Sequence, residues 1–347
     1  MERDHPRLVR ELEAWFERNQ RALPWRDGYD PYHVWVSEIM AQQTRMDVVL
    51  RYWSPFIERF PTVSSLAAAD QEHVLASWSG LGYYRRAQML HEGARDVVER
   101  FGGAIPADPA ELRSIPGVGR YTAGAIASIA FDQPVPIVDG NILRLFARLE
   151  MIEEPLRSRG LEKRCWTMAA DLVALAASPR NLNQALMELG SAICTPRRPS
   201  CDDCPVSSHC AAAAAGRQEQ YPRLPARQET IDLVVPVYLV ADAVGRVMLI
   251  RSSSGTLMNH MYRLPGRDGE IGAAVHVDGL RPLRHIGDVR HSITNRRVRF
   301  EVWDATIETI GDTPVGDVRW VALDELSSVP HPSWVRKVIE LRSGDAV

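Results

Sequence analysis

The sequence predicts a multidomain protein, an all-α domain followed by a smaller α+β domain. Three observations predict it: apolar residues recur at helical spacing through roughly the first 215 positions, four cysteines crowd the end of that stretch, and strand-like patterns follow a polar, proline-containing segment. At 347 residues the chain is too long for one typical domain. No apolar run approaches the ~20 residues that a bilayer span needs. The charged start, Met1-Glu2-Arg3-Asp4-His5, is not that of a secretory signal. A reducing compartment is therefore expected, and the lack of targeting sequence favours a bacterial cytoplasm. No membrane contact is expected, and the chain is expected to be a monomer.

The helical part is read from segments such as Leu8–Phe16, Val34–Tyr52 and Leu161–Ala176. Asp108-Pro109 has the cap and first-turn proline that open a helix, and Gly102-Gly103 ends the one before. Arg217–Thr230, with Pro222 and Pro225, reads as a linker. Leu233–Val240 and Val247–Ile250 are strand-like, Val298–Val302 alternates with period two, and a helix around Pro332–Leu341 closes the chain. The expected division is 1–215 helical, 216–230 linker and 231–347 α+β. Net charge is −3, which is no bar to nucleic-acid binding because distribution matters more than the sum. Residues 281–300 carry six arginines against the single acid Asp288.

The cysteine cluster has the spacing C-x6-C-x2-C-x5-C at Cys194, Cys201, Cys204 and Cys210. In a reducing compartment such a group holds metal rather than disulfides. Spacing alone leaves a [4Fe–4S] cluster and tetrahedral zinc both open. Cys165 lies outside the motif beside Trp166 and reads as a small buried residue.

Residues 115–124, Ile-Pro-Gly-Val-Gly-Arg-Tyr-Thr-Ala-Gly, lie between two predicted helices. Gly117 and Gly119 let the backbone turn tightly, and the following helix offers unsatisfied amides to an anion such as a DNA phosphate. Twenty residues on, Asp139 in Val-Asp-Gly-Asn precedes an apolar helix, so by itself it reads equally as a cap. Glu38 lies among Trp35, Ile39 and Met40; burial there would raise its pKa, whereas on an exposed face it would be an ordinary solvated glutamate.

Ser37-Glu38-Ile39-Met40-Ala41-Gln42-Gln43-Thr44, the glycine hairpin, Val138–Asn141 and the cysteine loop together resemble the helix-hairpin-helix glycosylases of the MutY and endonuclease III type. The resemblance implies an adenine DNA glycosylase domain with a six-helix hairpin part at 30–135 and a cluster part formed by 1–29 and 136–215. It implies a [4Fe–4S] cluster on the four cysteines, and double-stranded DNA holding adenine opposite 8-oxoguanine or guanine as substrate. It also implies roles: Glu38 as the acid that protonates adenine, Asp139 as the carboxylate facing the sugar, and Tyr121 and Asn141 as supports. Gln42 with Gln43 would fill the gap left by the flipped base. Leu81 and Tyr83, in Trp78–Tyr84, would probe near 8-oxoguanine, and Arg26 and Gln184 would contact the flipped adenine. Relatives that cut the strand carry a lysine at position 121, which forms a Schiff base; the phenol of Tyr121 implies a monofunctional enzyme that leaves an abasic site.

Residues 231–347 resemble the Nudix or MutT-like domain of the same family, with Met261–Gly266 matching its proline-glycine element. Gly269–Leu280 supplies only Glu270 where a Nudix hydrolase carries a glutamate array, so pyrophosphate hydrolysis is not expected. The domain would read 8-oxoguanine through Ile293-Thr294-Asn295, a departure from the family's Phe-Ser-His that keeps a hydroxyl at Thr294 and an amide at Asn295. Three rival readings have their own tests. A pyrimidine glycosylase is disfavoured by Tyr121 and the Gln42-Gln43 pair, a non-catalytic damage binder by the retention of Glu38 and Asp139, and a free Nudix hydrolase by its missing glutamates.

Overall fold

The computed structural model describes residues 4–156, 158–224, 229–251, 261–266, 274–277, 279–293, 295–307 and 317–343. By its internal contacts the chain forms two compact units: Met1–Ala69 with Arg85–Arg227, and Asp70–Tyr84 with Gln228–Val347.

The first unit is helical. Its elements are α1 (His5–Asn19), α2 (Pro31–Ala41), α3 (Met46–Arg59) and α4 (Val63–Ala68); the helix α5 (Gln71–Ser77) that follows belongs to the second unit. The first unit then resumes with α6 (Arg85–Phe101), α7 (Pro109–Ser114), α8 (Arg120–Ala125), α9 (Gly140–Glu150), α10 (Arg159–Val173), α11 (Pro179–Glu188) and the short α12 (Ala211–Ala214). The predicted signals act as physical chemistry requires. Asp108 caps α7 by accepting from the amides of Ala110 and Glu111, and Gly102 and Gly103 leave α6 at positive φ. The single run expected at Val34–Tyr52 is two helices, α2 and α3. Gln43 sits at φ +55° between them, and the Arg86 guanidinium donates to the carbonyls of Ile39, Met40 and Gln42. A long-range arginine thus satisfies the C-terminal carbonyls of α2, which no local pattern announces.

The core gathers the apolar faces of α1, α9, α10 and α11. Leu8, Leu12 and Phe16 recur at helical spacing on α1 and meet Ile142, Leu145, Phe146, Leu161 and Leu186. Each such fully buried side chain contributes about 1.5–3 kcal/mol. Cys165 is one of them, and burial pushes its thiol up to about 12.

The polar stretch after the cysteines is tied down as far as Arg223. Tyr221 is buried, its hydroxyl donates to Glu153 and its carbonyl accepts from Arg148, while the carbonyl of Arg223 accepts from the amide of Leu156. Residues 225–228, which include Pro225, lie outside the described residues.

In the second unit, β1 (Ile231–Val240) runs parallel to β4 (Arg296–Ile307), which is antiparallel to β3 (Leu280–Ile293). A second, two-stranded sheet pairs β2 (Val247–Arg251) with β5 (Asp317–Val321). The helix α13 (Ser333–Ser343) stacks Trp334 on Phe300 of β4 with ring centroids 4.1 Å apart. Gly266 lies so close to β1 that a Cβ there would stand 2.5 Å from the carbonyl of Pro236, which explains the glycine of the Met261–Gly266 element. Glu270 and half of the segment 269–280 that would carry a Nudix glutamate array lie outside the described residues.

Candidate active site

Helix α2 begins at Asp30, whose side chain accepts from the amides of Tyr32 and His33, with Pro31 at its first position. It is buried from Val34 to Met40, so Glu38 cannot face solvent. Burial lifts its carboxyl from the usual range to about 7; Asp139 adds to the rise, while a hydrogen bond from Tyr121 and the Arg26 charge oppose it. Tyr121, on α8, is pushed well above an ordinary phenol, chiefly by burial and then by the two carboxylates. Glu38, Tyr121 and Asp139 therefore form one cluster, with Glu38 buried and the other two half-buried, although each comes from a different helix or its cap.

Asp139 is the N-cap of α9. Its Oδ1 accepts from the amides of Asn141 and Ile142 at 3.0 and 2.8 Å, and its Oδ2 accepts from Asn141 Nδ2 at 2.9 Å. Capping and site membership are thus not alternatives, because one oxygen can cap while the group faces the cluster. Burial raises its pKa, and those hydrogen bonds hold the rise down. Asn141 is in turn held by Arg144, whose Nη2 donates to Asn141 Oδ1 and to the carbonyl of Gly190, and whose Nε donates to the carbonyl of Cys194. Gly190 is required by close approach: a Cβ there would come within 2.8 Å of Asn141 Cβ. Around it, Leu189–Ile193 forms a π-helical turn, an irregularity that recurs at functional sites.

Glu38 opens on a cavity also lined by Leu23, Trp25, Arg26, Gln184 and Glu188. Arg26 Nε donates to Gln184 Oε1 at 2.7 Å, and Gln184 Nε2 donates to the Tyr29 hydroxyl at 3.2 Å. Glu188 was missed by the sequence reading. It is buried, and it pairs with Arg21 at 2.6 Å and Arg26 at 2.8 Å. Its signal was available, since it follows Gln184 by four residues and so shares its helix face. The polar groups that line the cavity are thus paired with one another in a single network.

Gln42 ends α2 half-buried, with Nε2 3.5 Å from Thr122 Oγ1, and Gln43 beside it is exposed. In the α7–α8 hairpin, Gly117 has φ +79°, and Gly119 is the N-cap of α8. A side chain at Gly117 would be strained by that φ and would press on Met89 Cβ at 2.7 Å.

Cys194, Cys201, Cys204 and Cys210 line one cavity with Arg148, Leu149 and Val206. Among the described residues no three His, Cys, Asp or Glu side chains converge closely enough to hold a single metal ion. Four thiols lining one cavity are the donor set that an iron–sulfur cluster takes. Burial raises the thiols of Cys201, Cys204 and Cys210, with Cys204 at about 11, and their mutual charge adds to the rise. Positive iron would offset that cost. Arg148 Nη1 donates to Cys194 Sγ at 3.2 Å and to the carbonyl of Thr195, and Nη2 to that of Pro196.

In the second unit, Gly80, Gly82 and Tyr83 all have positive φ. The turn leaves Tyr83 58% exposed but buries Leu81 to 6%, so of the two expected probes only Tyr83 projects. Asn295 sits in the turn between β3 and β4, its Nδ2 3.4 Å from the carbonyl of Glu229. Thr294 lies outside the described residues. Arg299 is bound to Asp288 at 2.9 Å and Glu301 at 3.0 Å.

Residues 36–170 match the HhH-GPD superfamily of base excision DNA repair proteins, 194–210 the iron-sulfur binding domain of endonuclease III, and 236–341 the NUDIX domain. The chain is 32% identical to the adenine DNA glycosylase of Rattus norvegicus over 96% of its length and 77% of that protein. It is 33% identical to that of Homo sapiens, over 96% and 73%. Among solved structures it is similar to a thermostable thymine-DNA glycosylase, with 26% identity and a TM-score of 0.54 over 61% of this chain and 97% of that one. A trapped endonuclease III–DNA intermediate shares the fold at 20% identity and a TM-score of 0.52, over 62% and 99%. No described helix is long and apolar enough to cross a membrane.

Proposed function

The chain belongs to the adenine DNA glycosylase family, and on that premise we propose that it excises adenine opposite 8-oxoguanine as a monofunctional, monomeric enzyme, with Glu38 as the acid and Asp139 as the carboxylate facing the sugar. The activity of the family is removal of adenine from DNA in base-excision repair, and the four-cysteine loop carries its [4Fe–4S] cluster. The observation that carries the mechanistic reading is the cluster of Glu38, Tyr121 and Asp139, in which the buried Glu38 holds its proton up to about pH 7.

Adenine leaves poorly as an anion. A flipped base in the Arg26–Gln184 cavity would present a ring nitrogen to protonated Glu38. Proton transfer lets the C1′–N9 bond break with its electron pair on the base, and positive charge develops on the deoxyribose. Asp139, fixed by the amides of Asn141 and Ile142 and by the Asn141 side chain, presents a desolvated carboxylate to that charge without reorganising. Water then adds at C1′ and gives a proton to the Glu38 carboxylate, leaving an abasic sugar and the acid restored. Tyr121 offers no amine for a Schiff base. Lys163 lines a separate cleft with Glu150 and Glu154, which supports the monofunctional reading. The bond broken changes no oxidation state, so the cluster, held by Cys194, Cys201, Cys204 and Cys210, supplies shape and DNA positioning rather than electrons.

The test is single-turnover reaction of duplexes carrying A:8-oxoguanine, A:G, A:T and T:G, with and without alkali. Fast adenine loss opposite 8-oxoguanine, with strand breaks only after alkali, is expected. Breaks without alkali would contradict the monofunctional assignment, and thymine loss with adenine untouched would contradict the substrate.

A further inference from the structure

The segment Asp70–Tyr84 precedes most of the first unit in the sequence, yet it packs with the C-terminal strands. The chemistry of that attachment is specific. Antiparallel pairing sets Arg251 of β2 opposite Asp317 of β5, and period-two alternation puts Arg319 on the same sheet face. Both guanidinium groups stand 4.9 Å from the ring centroid of the buried Tyr262, whose hydroxyl donates to Asp317. Arg251 also binds Asp317 at 2.7 Å. The pair of arginines is thus oriented by its own unit, and Glu72 of α5 closes the array. Its Oε1 lies 3.0 Å from Arg251 Nη1 and 3.0 Å from Arg319 Nη2.

Twelve residues further on, at Tyr84, the segment is fastened again. The Tyr84 hydroxyl donates to the carbonyl of His331 at 2.9 Å and accepts from the amide of Gly80, and Trp78, fully buried, donates to the carbonyl of Gly82. Between these two fastenings lies the left-handed turn that exposes Tyr83.

We propose that Glu72 is a positioning residue: by bridging Arg251 and Arg319 it anchors α5, so that the C-terminal unit holds the Gly80–Tyr84 turn and fixes where Tyr83 is presented to the base opposite adenine. This rests on the reading of Tyr83 as a probe of that base. The C-terminal unit then acts on opposite-base choice through a piece of the N-terminal sequence, in addition to any base contact of its own β3–β4 turn.

The experiment uses the full chain as wild type, Glu72→Gln, Tyr83→Ala and the double variant, with Arg319→Gln removing one arm of the bridge while keeping Arg251–Glu72 and Arg251–Asp317. It reads amide hydrogen exchange at residues 80–84 and the ratio of single-turnover rates for A:8-oxoguanine and A:G. A partly exposed bridge of this kind predicts faster exchange at 80–84 and a ratio reduced about three- to tenfold in Glu72→Gln and Arg319→Gln. The double variant should fall no further than Tyr83→Ala alone. Unchanged exchange, or equal slowing on both duplexes in both Tyr83 backgrounds, would overturn the proposal. A Tyr83→Ala ratio equal to wild type would instead show that Tyr83 is no probe, and the functional role of Glu72 would fall with it. A reduced ratio in Tyr83→Ala with none in Glu72→Gln would leave the probe standing and remove the bridge.

Discussion

Glu38 shows how much of this site is a contest of local terms. Desolvation favours the neutral acid, the Tyr121 hydrogen bond and Arg26 favour the carboxylate, and desolvation wins. The folded protein therefore keeps a proton that the unfolded chain gives up near its ordinary value of 4.5. Because the folded pKa is raised, stability is greatest below the unfolded pKa and declines as pH rises from about 4.5 to about 7. Glu38→Gln removes that ionisation, so at pH 8 the variant is expected to be more stable than wild type by of order 1–3 kcal/mol, while excising adenine about 10²–10⁴-fold more slowly. Thermal melts at pH 5 and pH 8 check the first half; a stabilisation independent of pH would refute its cause. The apolar neighbours of Glu38 left the acid open between burial and an exposed face, and the resemblance of Ser37–Thr44 to the glycosylase motif is what singled it out. Its partner across the cavity, Glu188, was not singled out, although the i, i+4 relation to Gln184 marked the face. What the spacing could not give was Arg21 and Arg26, which come from a distant segment to pair with it.

Among the elements, α9 connects the two halves of the site. Asp139 caps its start, Arg144 reaches the carbonyl of Cys194, and Arg148, one turn on, binds the carbonyls of Cys194, Thr195, Pro196 and Tyr221. Arg148 is buried, so Arg148→Met would leave several carbonyls unsatisfied and is expected to cost about 3–5 kcal/mol. Iron content per chain and melting temperature should fall together; retention of full iron would contradict this account of the loop. Gly190→Ala makes the complementary prediction, because its Cβ would press on Asn141 and displace the first turn of α9. Excision should slow by about tenfold or more with DNA binding kept, as sub-ångström misplacement of a reacting group is costly. Helix starts and stops at Asp108-Pro109 and Gly102-Gly103 were readable because caps are local. The break between α2 and α3 was not, because Arg86, forty residues away, satisfies the carbonyls that end α2.

At the scale of the molecule, the change from helical to strand periodicity announced two parts, but chain order misleads about their membership. Asp70–Tyr84 lies inside the helical sequence and packs with the C-terminal strands, since the arginines of β2 and β5 supply the countercharge for Glu72. No periodicity could show that, because a lone glutamate on a short helix looks solvated until its partners arrive from residues 251 and 319. Truncation after Arg227 removes those partners along with the β3–β4 turn. The shortened chain is expected to retain adenine excision but to lose about tenfold or more of its preference for 8-oxoguanine over guanine, read as the ratio of single-turnover rates. A truncated chain with the full preference would contradict the assignment of opposite-base reading to the C-terminal unit.

The central claim, that a buried, protonated Glu38 delivers the proton that releases adenine, is tested most directly by the pH dependence of single-turnover excision in wild type and Glu38→Gln. The account predicts a wild-type rate that falls tenfold per unit above about pH 7, with that limb set by a carboxyl whose burial raised its pKa, and that falls on the acid side only where Asp139 takes up a proton. In Glu38→Gln the residual rate should lose that limb. An alkaline limb that persists unchanged in Glu38→Gln, or a rate that goes on rising through pH 7, would contradict it and assign the proton to another group.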